Sequence, residues 1–309
     1  MEIRSKRNQK HLIATLLGSI FIFAMGSALL FAFFNIYSND EIENKTYFMI
    51  VFSIISFFVA IDLLYTYFKN SKVILIDREK ILITNKYLFW RDIQDISLGG
   101  KKGFGFFNYQ IEAAKLKFNN GDEYYIFENI YSNGAEIKSF IKNVVIEKND
   151  IITTLKTVSE KELVKEKFQK YAGSPFFSFR GIMLWGLIVF ILFLTFSNGN
   201  KNLEKMLFLF PICLFWFFLN AYSMDYFEVS KNFLKIKNHF FFWKNDIYRL
   251  DEIEELVFET QPKQANMLRV ISTDFKTKLY RAGTLKDSVW LEFKDDIEKK
   301  NVIVRNESI

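Results

Sequence analysis

The stretch GGKKGFGFFN at 99–108 is the densest set of residues in this chain that could meet a charged ligand. Glycines beside Lys101 and Lys102 suggest a phosphate cradle, because exposed backbone N–H groups and ammonium groups both attract anions. The GK[ST] ending and the helix of a nucleotide loop are missing, so that chemistry is not indicated. With Phe104, Phe106 and Phe107 interleaved, the lysines read as a membrane- or partner-contact loop. Each lysine near an anionic leaflet contributes about 1 kcal/mol. A solvated loop with its Phe rings turned into a core is the reading favoured over that contact. Asp62 is the only acid well inside an apolar run. At mid-membrane it would cost roughly 2.5–3.5 kcal/mol and mark an ion path as an intramembrane polar group. Lying seven positions before Lys69, it reads first as an interfacial acid.

Other chemistry is sparse. There is no HExxH, GxSxG or Walker loop. The two histidines, His11 and His239, and the single Cys213 cannot build a zinc cluster or an intrachain disulfide. The residues therefore point away from an enzyme, with no cofactor and no metal expected. Two aromatic–basic pairs remain: Trp90–Arg91 in NKYLFWRDI and Trp243–Lys244 in NHFFFWKND, 243 − 90 = 153 positions apart. Phe89 and Phe242 precede them, so alternation along a strand turns one ring of each pair inward and the other outward. An outward Trp near a bilayer suits the headgroup layer.

The elements that must hold these residues are segregated along the chain. Half of all residues are hydrophobic, 37 are Phe, and 25% are charged. Residues 12–37 carry no charge, 47–68 carry one, 176–196 carry only Arg180, and 203–222 are charged only in the first turn. A helix needs about 20 apolar residues to cross the hydrocarbon core. None of the four shows the polar stripe of a soluble amphipathic helix. The first run is too long for the apolar region of a signal peptide, about 7–15 residues, and no small-residue cleavage site follows it. Basic residues flank the pairs unevenly. Arg4, Lys6, Arg7 and Lys10 precede the first span, Lys69 and Lys72 follow the second, and Lys165, Lys167 and Lys170 lead into the third. The connectors at 38–46 and 197–202 hold one lysine each. This pattern predicts an inner-membrane, multi-pass protein with cytoplasmic termini. The net charge of +6 is thereby assigned to anionic lipid rather than nucleic acid.

After each pair the period changes to that of strands. The first β-rich segment holds KVILID, KILITN, a hairpin turn at NNGD (119–122) and a helical stretch capped by Asn133 with Glu136 three residues on. The second repeats the order, with a hairpin around 272–276 and a closing helix capped by Thr284. Asp77, Ile81, Ile83 and Asn85 fall on Ser230, Leu234, Ile236 and Asn238 at one period, and DIQDI (92–96) falls on EIEEL (252–256) after about seven extra residues. Such shared order predicts a duplication. Ser159 and Glu162 form a capping-box pattern that predicts an amphipathic connector helix over 158–173. In the first span, Ala14, Gly18 and Gly26 offer a small-residue face for close helix packing. Pro211 should bend the fourth span, and Cys213 reads as an apolar filler.

The segments YTYFKNSKVILIDREKILITNKYLFWRDIQDISL and NAYSMDYFEVSKNFLKIKNHFFFWKNDIYRLDEIEEL, each behind a span pair, make the chain resemble bacterial membrane proteins with pleckstrin-homology-like (PH-like) domains. The resemblance implies seven-stranded, half-open barrels, each capped by a C-terminal helix, and no enzymatic activity. The basic phosphoinositide cluster of eukaryotic relatives is not recognisable in the turn DREK. The expected architecture is membrane α-helical plus α+β: transmembrane hairpin 12–68, PH-like cytoplasmic domain 72–157, connector 158–173, transmembrane hairpin 176–222 and PH-like domain 225–309. The expected role is a scaffold, assembly or membrane-surface module whose partners are the lipid bilayer and a protein partner or a second copy of the chain. A small transporter or channel built from a parallel repeat is the alternative.

Overall fold

The computed structural model describes residues 2–38, 46–106, 108–148, 158–197, 203–260 and 266–307. The chain divides into two compact units, 1–152 and 153–309, and each combines helices with mainly antiparallel sheets in an α+β arrangement.

The first unit begins with a two-residue strand, β1 (Ile3–Arg4), before the helix pair α1 (Gln9–Ser38) and α2 (Tyr47–Asn70). At 1.5 Å per residue these helices are about 45 and 36 Å long. Both are long and apolar enough to cross a membrane. Their seam repeats every seven residues: Ser19, Gly26 and Phe33 are buried on α1, and Ser53, Ala60 and Tyr67 on α2. That period keeps one face of each helix on its partner. Mostly small side chains let the backbones approach, and the Ser53 hydroxyl donates to the Gly26 carbonyl at 2.8 Å. A Cβ at Gly26 would lie 3.0 Å from the Phe57 ring, whereas nothing lies within 4 Å of one at Gly18. Of the predicted small-residue face, Ala14 is exposed and only Gly26 joins the tight contact. Away from the seam, large apolar side chains such as Phe31, Phe34, Phe48 and Ile54 are exposed.

Four antiparallel strands follow one another across the first sheet: β1, β2 (Ile74–Ile76), β3 (Lys80–Ile83) and β4 (Lys86–Phe89). Alternation turns Ile74, Ile76, Ile81 and Ile83 inward. β3 and β4 are joined by two residues, Thr84 and Asn85, both at positive φ, as a tight hairpin turn requires. One turn of 3-10 helix at Trp90–Asp92 redirects the chain into the second sheet. There β7 (Tyr109–Phe118) pairs with β5 (Ile93–Ser97) and β6 (Lys101–Phe104) along one edge and with β8 (Glu123–Phe127) along the other. The predicted turn at 119–122 joins β7 to β8, with Gly121 at φ +83°. α3 (Gly134–Phe140), continued by a π-helical turn at Ile141–Ile146, buries Ile137, Phe140 and Ile141 in the core.

In the second unit a short helix, α4 (Glu160–Val164), leads to β9 (Gln169–Tyr171), then to α5 (Phe179–Ser197) and α6 (Leu203–Ala221). The described residues of α5 and α6, 19 each, amount to about 28 Å, against a hydrocarbon core of about 30 Å. One sheet has the order β12 (Asn245–Arg249), β11 (Phe233–Asn238), β10 (Asp225–Val229), β9. Leu250–Glu252 form a 3-10 turn into β13 (Ile253–Glu259), which pairs with β14 (Met267–Ser272), itself paired with β15 (Thr277–Arg281). α7 (Asp287–Glu298) closes this lobe, and β16 (Val304–Glu307) returns parallel to β13. The core is aromatic: Phe227 stacks on Phe293 at 4.7 Å, and Trp290 packs edge-on against Phe258.

Several local expectations change. The connector expected to be helical over 158–173 is helical only at Glu160–Val164, and Gln169–Tyr171 is a strand because β10 offers it an unpaired edge. Ser159 makes no side-chain cap bond, and Glu162 pairs with Arg249 at 2.9 Å instead. Asn133 stands at the N-cap of α3 as expected and donates to Glu136 Oε2 at 3.3 Å, but its side chain makes no cap bond to the helix backbone. Its carbonyl accepts the Lys6 N–H and its amide donates to the Arg4 carbonyl, tying the N-terminus to the lobe. Thr284 precedes α7 by three residues without capping it.

The Trp90–Trp243 correspondence also fails. Ile83 pairs with Lys86, three positions away, whereas Ile236 pairs with Asp246, ten positions away. The seven extra residues therefore lie between Ile236 and Asp246, in the β11–β12 loop and the strand ends beside it, and include FFFWK itself. Trp90 matches Leu250 instead. Each opens a 3-10 turn, each is buried, and their N–H groups donate to Glu79 and Asn232 carbonyls at 3.0 and 2.9 Å. Letter identity misled because aromatic side chains are interchangeable in writing, while strand register depends on backbone pairing.

Candidate membrane-contact site

Asp62 organises the contact in the first unit. Its carboxylate accepts the Thr66 hydroxyl and the backbone N–H of Phe106, each at 3.3 Å. Phe106, at the tip between β6 and β7, sets its ring edge-on against Phe58 of α2 at 5.2 Å. Gly105 makes the turn possible: at φ +74° it takes the left-handed region that disfavours a side chain. The tip that reads as a free loop in the sequence is thus fastened to the membrane-type helix. Its level follows from the helix seam. His11 meets Tyr67 and Phe33 meets Tyr47, so Asp62 lies near the height of Leu17. From Leu17 to Ser38 there remain 22 residues of α1, about 33 Å, and from Tyr47 to Asp62 16 residues of α2, about 24 Å, so the carboxylate lies toward the lobe end of the helix pair.

The remaining candidates separate. Lys101 and Lys102 lie half-buried in β6. Phe104 turns inward and meets Phe127 edge-on at 5.1 Å, while Phe106 stays 68% exposed. Phe107 lies outside the described residues. Trp90 is core: its indole N–H donates to the Asp77 carbonyl at 2.9 Å, so it is not a surface contact. Arg91 is exposed and lies over the Phe89 ring.

In the second unit Trp243 and Lys244 belong to the long β11–β12 loop, which hangs on a buried polar knot. The Asp225 carboxylate, fully buried, accepts Lys244 Nζ at 2.7 Å, Asn238 Nδ2 at 2.9 Å and the Arg281 N–H at 3.1 Å. Asn238 also donates to the Ala221 carbonyl at the end of α6, and its own carbonyl accepts the N–H groups of Phe240 and Phe241. Burial pushes the Asp225 carboxyl above the usual carboxylate range, against the opposing pull of Lys244. The Phe242–Trp243 pair does not alternate as a strand would, because both rings are exposed and Phe241 takes the inward place. Sequence reasoning missed Asp225. Its only signal was an acid three positions beyond the last apolar run, facing an Asn two positions ahead of three Phe.

Among the described residues no group of three or more His, Cys, Asp or Glu could hold a metal ion. Comparison with family models and with curated proteins finds no match for this chain.

Proposed function

We propose that the chain is a non-enzymatic integral membrane protein. In this reading, PH-like lobes mounted on apolar helix pairs serve as a cytoplasmic scaffold or assembly surface for a protein partner or a second copy. The observation that carries this reading is the place of β1 and β9. In each unit the strand before the helix pair is hydrogen-bonded to the strand after it, Ile3 to Ile76 and Tyr171 to Phe227. Both feet of the pair are therefore held in one sheet, and the lobe cannot swing as it would on a flexible linker. Such mounting suits a surface held at fixed height above a bilayer.

Four strands, then three or four, then a helix support the PH-like assignment, with the first strand supplied from ahead of the helices. The shared order of elements, including the two 3-10 turns, supports a duplication. Each helix pair returns the chain to the side it left, and the basic flanks favour the cytoplasm. Asp62 is engaged by the β6–β7 tip, which favours an anchoring role over a conducting one.

The test is topological. In a Cys213→Ala chain, cysteines placed at Asn120 and Lys276, in the exposed turns of the lobes, should resist an impermeant thiol reagent in intact cells and react after lysis. Labelling without lysis would overturn the reading. Purification of the intact chain in mild detergent should retain a stoichiometric protein partner or a homo-oligomer, and a bare monomer would remove the scaffold role.

A further inference from the structure

The second unit carries a continuous run of aromatic rings around the base of its helix pair. Phe240 touches Trp185 of α5 at 6.1 Å and Phe217 of α6 at 5.3 Å. Phe241 stacks on Phe218 at 5.8 Å and on Trp243 at 5.1 Å. On the other flank Phe176 stacks on Trp185 at 5.6 Å. The inner rings pack on the helices, yet the outer ones face away from protein: Phe242 is 87% exposed, Phe177 85% and Trp243 66%. Beneath them lie cations. Lys244 and Arg281 sit over the Tyr222 ring at 4.7 and 5.6 Å.

We infer that this aromatic collar is a lipid-contact surface seated in the headgroup layer of the bilayer, fixing the height of the second lobe. The inference rests on the membrane reading above. Three features argue for lipid. The collar is continuous with exposed apolar side chains on α5 and α6, such as Ile182 and Phe215. Phe217 and Phe218 stand four and three residues from the end of α6, so the loop rises about 5–6 Å along the helix. That matches the depth of about 5–10 Å at which interfacial apolar faces settle. Aromatic rings beside the Arg281 guanidinium also follow the order of the interface, with acyl chains over phosphates, while the Lys244 ammonium is committed to Asp225. The polar knot of Asp225, Asn238 and Lys244 holds the loop in this shape before any lipid arrives.

The test uses the full chain in phosphatidylcholine vesicles containing phosphatidylglycerol. Single nitroxide labels are placed, in a Cys213→Ala background, at Phe242, at Phe31 on the exposed face of α1 and at Lys276 in the β14–β15 turn. Collisions with oxygen and with an aqueous nickel chelate report depth. The label at 242 should show an oxygen-to-nickel ratio about tenfold above that at 276, though below that at 31. A ratio at 242 equal to that at 276, with 31 still in hydrocarbon, overturns the collar and leaves the membrane reading standing. Aqueous behaviour at 31 as well overturns both.

Discussion

Lys244→Met isolates the Asp225 knot. The substitution keeps an apolar stem and removes the ammonium 2.7 Å from a carboxylate that has no exposed surface. Two donors remain, Asn238 Nδ2 at 2.9 Å and the Arg281 N–H at 3.1 Å, and neither carries the missing charge. Breaking a buried pair from one side costs about 3–5 kcal/mol. For a unit of this size 1 kcal/mol moves Tm by about 2–4 °C, so the second unit should melt roughly 6–20 °C lower. The pH dependence gives the sharper test. Burial already holds the Asp225 carboxyl above its ordinary value of 3.8. A carboxyl raised in the folded state contributes fully below its unfolded pKa and loses that contribution as pH rises through the folded value. Removing the ammonium raises the folded value further and deepens the loss. The deficit should be largest at about pH 7 and should shrink toward about pH 4, where a neutral carboxyl needs no counter-ion. Thermal unfolding of both chains in one detergent, followed by near-UV circular dichroism, reads the difference, from which His239 titration cancels. A deficit below about 1 kcal/mol at neutral pH, or one that does not shrink in acid, refutes the argument.

Asp62→Leu should release the β6–β7 tip without unfolding the lobe, and the Phe106 amide should exchange about tenfold faster, equivalent to about 1.4 kcal/mol; unchanged exchange would show that the latch holds nothing. Trp90→Leu, which places in the first unit what Leu250 provides in the second, should cost less than Trp90→Ala, for which about 3–5 kcal/mol is expected in denaturant unfolding. His239 is held down to about 4, chiefly by burial and then by Lys170. A histidine depressed in this way stabilises the fold above its unfolded value of 6.5 and loses that contribution as pH falls toward 4. Stability should therefore decline over that window, and His239→Gln should flatten the decline.

The apolar runs and the order of strands and closing helices were legible because they are local properties. A helix in lipid needs only a sufficient count of apolar residues, and a buried strand shows its alternation within a few positions. The β7–β8 turn was legible for the same reason: Asn-Asn-Gly-Asp carries its own conformational preference. What distant neighbours impose was not legible. β1 and β9, two and three residues long, are too short to show a period, and they are strands only because β2 and β10 present open edges. Trp90 could be assigned to the core and Trp243 to the surface only once cross-strand register separated a two-residue turn from a long loop. Asp62 gained its partner from 44 positions away, and Asp225 its three donors from 13, 19 and 56 positions away. The sequence by itself determined which segments are apolar enough to leave water. Tertiary structure decided which polar groups hold the lobes to those segments, because a buried carboxylate is defined by the donors that converge on it.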